Sequence, residues 1–388
     1  MLHSNISDTY KNNINLINNI NLDLSDNHII DNCEILSLES HITNSIISFK
    51  DDLLKNEDGI LLLKTYLGVF FSDDKGNLDG YVDFSHIFPN NSDLFFLLVA
   101  VLKIDSLYDF YKDKKIPDDI LIDTLGDVKV WVNNHFNKTG RHGLGDLNWL
   151  YFHLRGDLFR IGRLQFMKVP FKGDVRVYKQ LVTDFPLILS CGNLKYDFPG
   201  NKIDEKECFL STYIESNLTV TANPIREGKC LKDPMTINKC DYSLEIQHDS
   251  ILLDMHIPQG DKLNIPLCID SMKKAIIFYY KHFNSQIIKG FTCKSWLLNQ
   301  NFKYILDESS NISKFASMFY VYPSVSTDKQ MYARVFNGET DINNLEKLPN
   351  KTKLQEAIIK GINDGLTFED TSVVFLSKDI KKLQRFML

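Results

Sequence analysis

The stretch Ser250–Phe283 holds the residues best placed for chemistry. Ser250–Ile257 (SILLDMHI) alternates as a strand does, Pro258-Gln259-Gly260-Asp261 reads as a loop, and Pro266 opens a long helix that runs to Phe283. With a period of two, Leu252, Asp254 and His256 share one strand face, and Ile251, Leu253, Met255 and Ile257 share the other. His256 thus ends the strand beside the glycine loop, where an imidazole can act as a general base near neutral pH. The same spacing equally gives an Asp254–His256 hydrogen bond on a half-exposed face. A glycine-containing loop between a strand end and a helix start is a natural anion site. The first N–H groups of the helix have no internal partner, and the helix dipole adds positive potential. A pyrophosphate would sit near Gly260, Asp261, Lys262, Leu263 and Asn264, although such turns also occur without any ligand and Asp261 opposes an anion.

Cys293, Ser295 and Trp296 end the next apolar stretch, Gly290–Leu298, which is expected to be a second strand. Cys293 with His256 makes a conceivable thiol nucleophile pair, but no nucleophile-elbow glycines flank it, and buried free cysteine is common. Ser309-Ser310-Asn311 reads as the cap of a helix over Ile312–Met318. Arg160 and Arg163 flank Gly162 in an early strand; they suit a phosphate or acidic substrate, or simply solvent. There is no G-x-x-x-x-G-K-[ST], G-x-S-x-G, H-E-x-x-H or post-strand G-x-G-x-x-G, which disfavours P-loop ATPases, α/β-hydrolases, zincins and Rossmann dehydrogenases. The pairs Asp51-Asp52, Asp73-Asp74 and Asp118-Asp119 are adjacent in sequence and read as solvation and capping, not as a glycosidase dyad.

The elements that must position these groups fall into two parts. Residues 1–30 are Asn- and Ile-rich and expected to be frayed, with helix from about Cys33. From Asp51 to Phe136 the pattern is helical: a buried helix over Ile60–Phe71, a turn over Ser72–Gly80, a helix start at Pro89–Asp93, and another at Pro117 with Asp118 and Asp119 in its first turn. Gly140, Gly143 and Gly145 then interrupt the chain, which puts a boundary between Gly140 and Gly156 and gives domains 1–145 and 146–388. The second half reads as helix at Trp149–Leu154, strands at Asp157–Lys168, Leu218–Ile225, Tyr320–Tyr322, Met331–Phe336 and Ser372–Leu376, and a helix at Thr352–Asn363. The class is α+β: a mostly helical N-terminal domain, then a mixed β-sheet domain flanked by helices.

Composition bounds the partners. The 388 residues carry 44 Lys plus Arg against 50 Asp plus Glu, so a net charge of −6 excludes a chain built to coat nucleic acid or an anionic membrane. The longest apolar runs, such as Leu94–Leu102, fall far short of a spanning helix, and no signal layout opens the chain, which leads to a cytoplasmic expectation. Seven cysteines, an odd count without C-x-x-C, argue against a disulfide framework. Cys230, Cys240 and His248 fit no zinc spacing, so no metal is expected.

One ordered set of short motifs carries a resemblance. It comprises Gly162-Arg163-Leu164-Gln165-Phe166, Asn223-Pro224-Ile225 with Gly228, His256-Ile257-Pro258 with Gly260 and Leu263, Cys293-Lys294-Ser295-Trp296-Leu297-Leu298, and Ser310-Asn311-Ile312 with Phe315 and Phe319. Arg334-Val335-Phe336 and Leu348-Pro349 with Thr352, Leu354 and Gln355 continue it. From about Pro117 onward the chain resembles a bacterial acyltransferase family that joins a helical N-terminal acyltransferase domain to a GNAT-like C-terminal domain.

The resemblance implies a GNAT fold, an acyl-CoA co-substrate (acetyl-CoA or longer), no metal, and transfer of the acyl group to a small amine-bearing acceptor. It implies cofactor-binding positions at Met255, Ile257, Gly260, Lys262, Leu263, Asn264, Ser271 and Asn311. Backbone N–H groups near Met255–Ile257 would polarise the thioester carbonyl, and the strand over Phe291–Leu298 would splay away to admit the pantetheine arm. His256, Ser295 and Cys293 are the catalytic candidates. Two positions depart from the GNAT pattern: the Q/R-x-x-G-x-G/A loop keeps only Gly260, and Phe319 stands where a Tyr protonates the leaving thiolate. Those departures motivate the alternative, a catalytically degenerate GNAT-like CoA-binding or regulatory module.

Overall fold

The structure, a computed structural model, describes residues 4–72, 87–88, 92–203, 208–283, 287–336, 345 and 348–386. The chain divides into two compact units, Met1–Ile161 and Gly162–Leu388. The division follows Ile161, later than residue 145, because the helix Leu150–Arg155 and the strand Leu158–Ile161 pack with the preceding helices.

The first unit is helical. Its longest elements are α1 (Ser92–Asp113) and α2 (Asp118–Thr139). Residues 95–102 of α1 are all buried, which explains an apolar run with no period: this helix is enclosed on every side. Asp118 and Asp119 open α2, and Gly140, at φ 73°, closes it. The stretch expected as one buried helix over Ile60–Phe71 is an α-helix, Glu57–Thr65, running into a π-helical turn, Tyr66–Phe70. Helix also begins earlier than expected, with Ser4–Asn12, Ile14–Asn18 and Asp26–Ile35. The reason is packing: Ile17 is fully buried, and a Cβ on Gly68 would meet Ile20 Cδ1 at 2.5 Å, so the isoleucines of the Asn-rich segment seat on the π-turn. Residues 73–80 of the expected turn, and residues 89–91 of the expected helix start, lie outside the described residues.

The second unit is built on a sheet of β1 (Leu164–Pro170), β2 (Ile251–His256), β3 (Gly290–Ser295), β4 (Tyr320–Tyr322) and β5 (Thr371–Leu376), in the spatial order β1-β2-β3-β5-β4. Only β2 and β3 run parallel; the other pairs are antiparallel. A parallel pair needs a crossover, and α3 (Ile265–His282) supplies it. Cys268, Ile269, Met272 and Ala275 form its buried stripe, and the Tyr279 hydroxyl donates to Phe166 O at 2.7 Å. Gly290 starts β3 because a Cβ there would lie 2.1 Å from Phe375 O. A further antiparallel sheet, including Val175–Gln180, Pro186–Ser190 and Pro224–Arg226, shares a core with the first: Val175, Val177 and Ile225 pack with Leu252, Tyr322 and Val374.

Three expectations for this unit change. Met331–Phe336 is not a strand: Met331–Val335 lies in the helix Lys329–Val335, and Phe336 is its C-cap. The buried pair Tyr332 and Phe336, with Met331 and Val335, recurs at i and i+4, the spacing of one helix face. The expected strand Leu218–Ile225 breaks at Asn223 into Thr219–Ala222 and Pro224–Arg226. Asn223 Oδ1 accepts from Thr212 N while Nδ2 donates to Leu231 O and Lys232 O, so the side chain replaces ladder bonds. Asp157–Lys168 divides at Gly162, which turns at φ 68°.

Candidate functional site

The site begins where the sheet opens. The β2–β3 register runs Leu252↔Gly290, Leu253↔Phe291 and Asp254↔Thr292, and there it stops. β2 stays paired with β1 to His256↔Gln165, and β3 with β5 to Ser295↔Thr371. Two parallel neighbours therefore part in the middle of the sheet while each holds its outer partner. Ile251 O accepts from Lys289 N, whereas Ser250 O accepts from Phe171 N on the other side. By the alternation of a strand, Leu253 and Met255 turn their backbone groups to the seam, and Met255 does so past its last paired rung.

His256 and Asp254 rise from one face of β2, with His256 Nε2 3.3 Å from Asp254 Oδ2. Each side chain is about a quarter exposed, so the pair is reachable yet shielded. Ile257 follows the strand end half-buried, and Pro258 is buried. Across the seam, Cys293 is buried; burial, with the Asp254 and Asp370 carboxylates adding to it, pushes its thiol well above the ordinary range. That environment keeps the thiol protonated and opposes a thiolate nucleophile. Ser295 Oγ accepts from Leu297 N at 3.3 Å, capping the 3₁₀ turn Trp296–Leu298.

Beyond β2, Gln259, Gly260, Asp261 and Lys262 are exposed. Gly260 is there for its backbone, at φ 121°, since nothing lies within 4 Å of where a Cβ would be. Asn264 is the N-cap of α3, its Oδ1 accepting from Leu267 N at 3.0 Å. Ser271 is buried; its Oγ accepts from Arg163 N and donates to Leu267 O, both at 2.8 Å. Both side chains, read from the sequence as cofactor-binding positions, are thus engaged in holding the loop and helix.

Arg163 is where the sequence reading and the structure part. Its guanidinium is buried beneath the loop: Nε donates to Lys262 O at 3.1 Å, Nη1 to Pro258 O at 3.2 Å and Nη2 to Asp261 O at 2.5 Å. No local pattern signals this role, because the three acceptors are backbone atoms distant in sequence. Asn311 is exposed at the start of the six-residue helix Asn311–Ala316, whose cap is Ser310. Phe319 packs against Phe315 and Phe375, and the neighbouring Tyr320 hydroxyl donates to Asp379 Oδ2 at 3.4 Å. Among the described residues no group of three or more His, Cys, Asp or Glu side chains is placed to hold a metal ion. Cys230 is buried and Cys240 exposed. No described helix is long and apolar enough to cross a membrane.

Residues 158–375 match the family model of a GNAT-like C-terminal domain, and residues 28–156 that of an N-acyltransferase N-terminal domain. The chain belongs to this acyltransferase family. The acyltransferase fold is shared with solved structures at low identity. One is an acyltransferase in complex with decanoyl-CoA, 17% identical, TM-score 0.62, over 96% of this chain and 99% of that one. Another is an acyltransferase in complex with decanoyl-CoA and teicoplanin, 18% identical, TM-score 0.61, over 89% and 86%. A third is an acyltransferase variant in complex with octanoyl-CoA, 18% identical, TM-score 0.62, over 89% and 86%. No curated protein matches this acyltransferase in sequence.

Proposed function

We propose that this acyltransferase moves an acyl group from an acyl-CoA thioester to an amine of a small-molecule acceptor. The observation that carries the reading is the opening of the β2–β3 seam past Asp254 and Thr292. It is a slot between two parallel strands, flanked by a His–Asp pair and leading to a helix start. The pantetheine arm would thread the seam, and backbone groups around Met255–Ile257 would meet the thioester carbonyl. The diphosphate would lie against Gly260, Lys262, Leu263 and the first turn of α3. His256 takes a proton from the acceptor amine as nitrogen attacks the carbonyl carbon. The C–N bond forms, the C–S bond breaks, and the proton passes to the departing CoA thiolate.

The octanoyl-CoA and decanoyl-CoA of the similar structures favour a medium-length acyl chain, and their teicoplanin favours an acceptor larger than an amino acid. A CoA thioester donor fits a cytoplasmic enzyme. A second reading, a CoA-binding module without turnover, draws on Phe319 at the acid position and the Tyr320 hydroxyl's engagement with Asp379.

Calorimetric titration with CoA, acetyl-CoA and decanoyl-CoA tests the common ground, since failure of all three to bind removes both readings. Thiol release from the bound thioester in the presence of amine acceptors, lost in His256→Ala with binding retained, separates the first from the second.

A further inference from the structure

We infer that Arg163 is a positioning residue that turns the backbone amides of the Pro258–Asn264 loop outward, toward an acyl-CoA diphosphate. The inference rests on the reading of that loop given above. In a trans peptide the carbonyl of one residue and the N–H of the next point in opposite directions. Arg163 draws Pro258 O, Asp261 O and Lys262 O into one buried fork. The amides of Gln259, Lys262 and Leu263 are therefore directed away from the guanidinium. Among the described residues no backbone carbonyl takes up the Lys262 or Leu263 amide, and both stand directly before the start of α3. Successive outward amides at a helix start form an anion-binding concavity.

Glycine-rich phosphate loops reach that shape through residues free to adopt left-handed backbone. Here only Gly260 has a positive φ within the loop, and the conformation is imposed from below by a side chain. Arg163 is itself fixed from the other direction. Its own N–H donates to Ser271 Oγ on α3, and a Cβ on the preceding Gly162 would come within 2.8 Å of that oxygen. One residue thus ties the β1 turn, the loop and α3 together. Its planar five-donor fork suits three divergent carbonyls, which a lysine ammonium on one stem cannot reproduce.

The test compares decanoyl-CoA with decanoyl-pantetheine, which lacks the diphosphate and nucleotide, by calorimetric titration of the full chain. Wild type binding both equally would remove the loop as a diphosphate site and leave Arg163 without a task there. With wild type preferring decanoyl-CoA, Arg163→Lys and Arg163→Gln are expected to weaken decanoyl-CoA by about tenfold while leaving decanoyl-pantetheine within twofold. Equal weakening of both ligands, or no change in either, overturns the inference while the loop reading stands. Should the arginine variants fail to fold, Ser271→Ala removes the acceptor for the Arg163 N–H. It is expected to weaken decanoyl-CoA alone, by about threefold; an unchanged preference overturns the inference.

Discussion

His256 Nε2 lies 3.3 Å from Asp254 Oδ2 on the same face of β2, at the level where that strand loses its parallel neighbour. A carboxylate held beside an imidazole orients the ring toward the group whose proton it takes. His256→Ala is expected to lower kcat by at least about 100-fold with the KM for acyl-CoA within about twofold. Asp254→Asn keeps the shape and is expected to cost about tenfold in kcat. Steady-state rates of thiol release measure both, and an unchanged kcat in His256→Ala refutes the base assignment.

Cys293 sits across the same seam but is enclosed, and burial pushes its thiol up. Cys293→Ala is therefore expected to keep kcat within about twofold, and wild type to resist iodoacetamide at this position in the folded state. Rapid alkylation of Cys293, tracked by peptide mass spectrometry, together with loss of turnover would restore the nucleophile reading.

The legible parts of this chain are those written in local pattern. The strand Ile251–His256, the loop after it and the Asn264 cap of α3 all follow from period, turn residues and capping chemistry over a few positions. What was not legible depends on residues remote in sequence. Arg163 reads as a lone basic residue, and only the approach of the Pro258–Lys262 carbonyls reveals its work. Ser271 and Asn264 sit where a cofactor-binding motif would place them, but their side chains serve the protein's own backbone. Met331–Phe336 is too short a run for its pattern to distinguish strand from helix, and packing of Tyr332 and Phe336 decides it.

Asp379 anchors the end of the second unit. It is 1% exposed, and Lys179 Nζ lies 2.6 Å from it and 2.5 Å from Asp184. Burial alone would lower the Lys179 pKa, but Asp184 and Asp379 outweigh it and hold the ammonium charged. Asp379→Ala leaves that ammonium with one exposed partner, at an expected cost of about 3 kcal/mol in stability. The double variant Lys179→Met, Asp379→Leu removes both charges and is expected to lose less than the single one. Urea unfolding followed by Trp296 fluorescence gives the comparison, and a double variant worse than Asp379→Ala would refute it.

Lys103 carries the opposite sign. It lies on α1 with Nζ 5.0 Å from the centre of the Phe71 ring, and burial, followed by the nearby positive Arg155, lowers its pKa to about 8. In the unfolded chain a lysine titrates near 10.4. Below pH 8 both states hold the proton, so folding bears the full cost of a buried charge. As the pH rises from about 8 toward 10.4 the folded state sheds the proton first, binds fewer protons than the unfolded state, and gains stability. The whole effect is about 3 kcal/mol at most. Lys103→Met is accordingly expected to be more stable than wild type at pH 7, with the difference shrinking as pH approaches 10.4. Urea midpoints read from Trp131 and Trp149, which lie in the first unit, test this. A difference that stays constant between pH 7 and pH 10 would show that Lys103 titrates as it does in the unfolded chain.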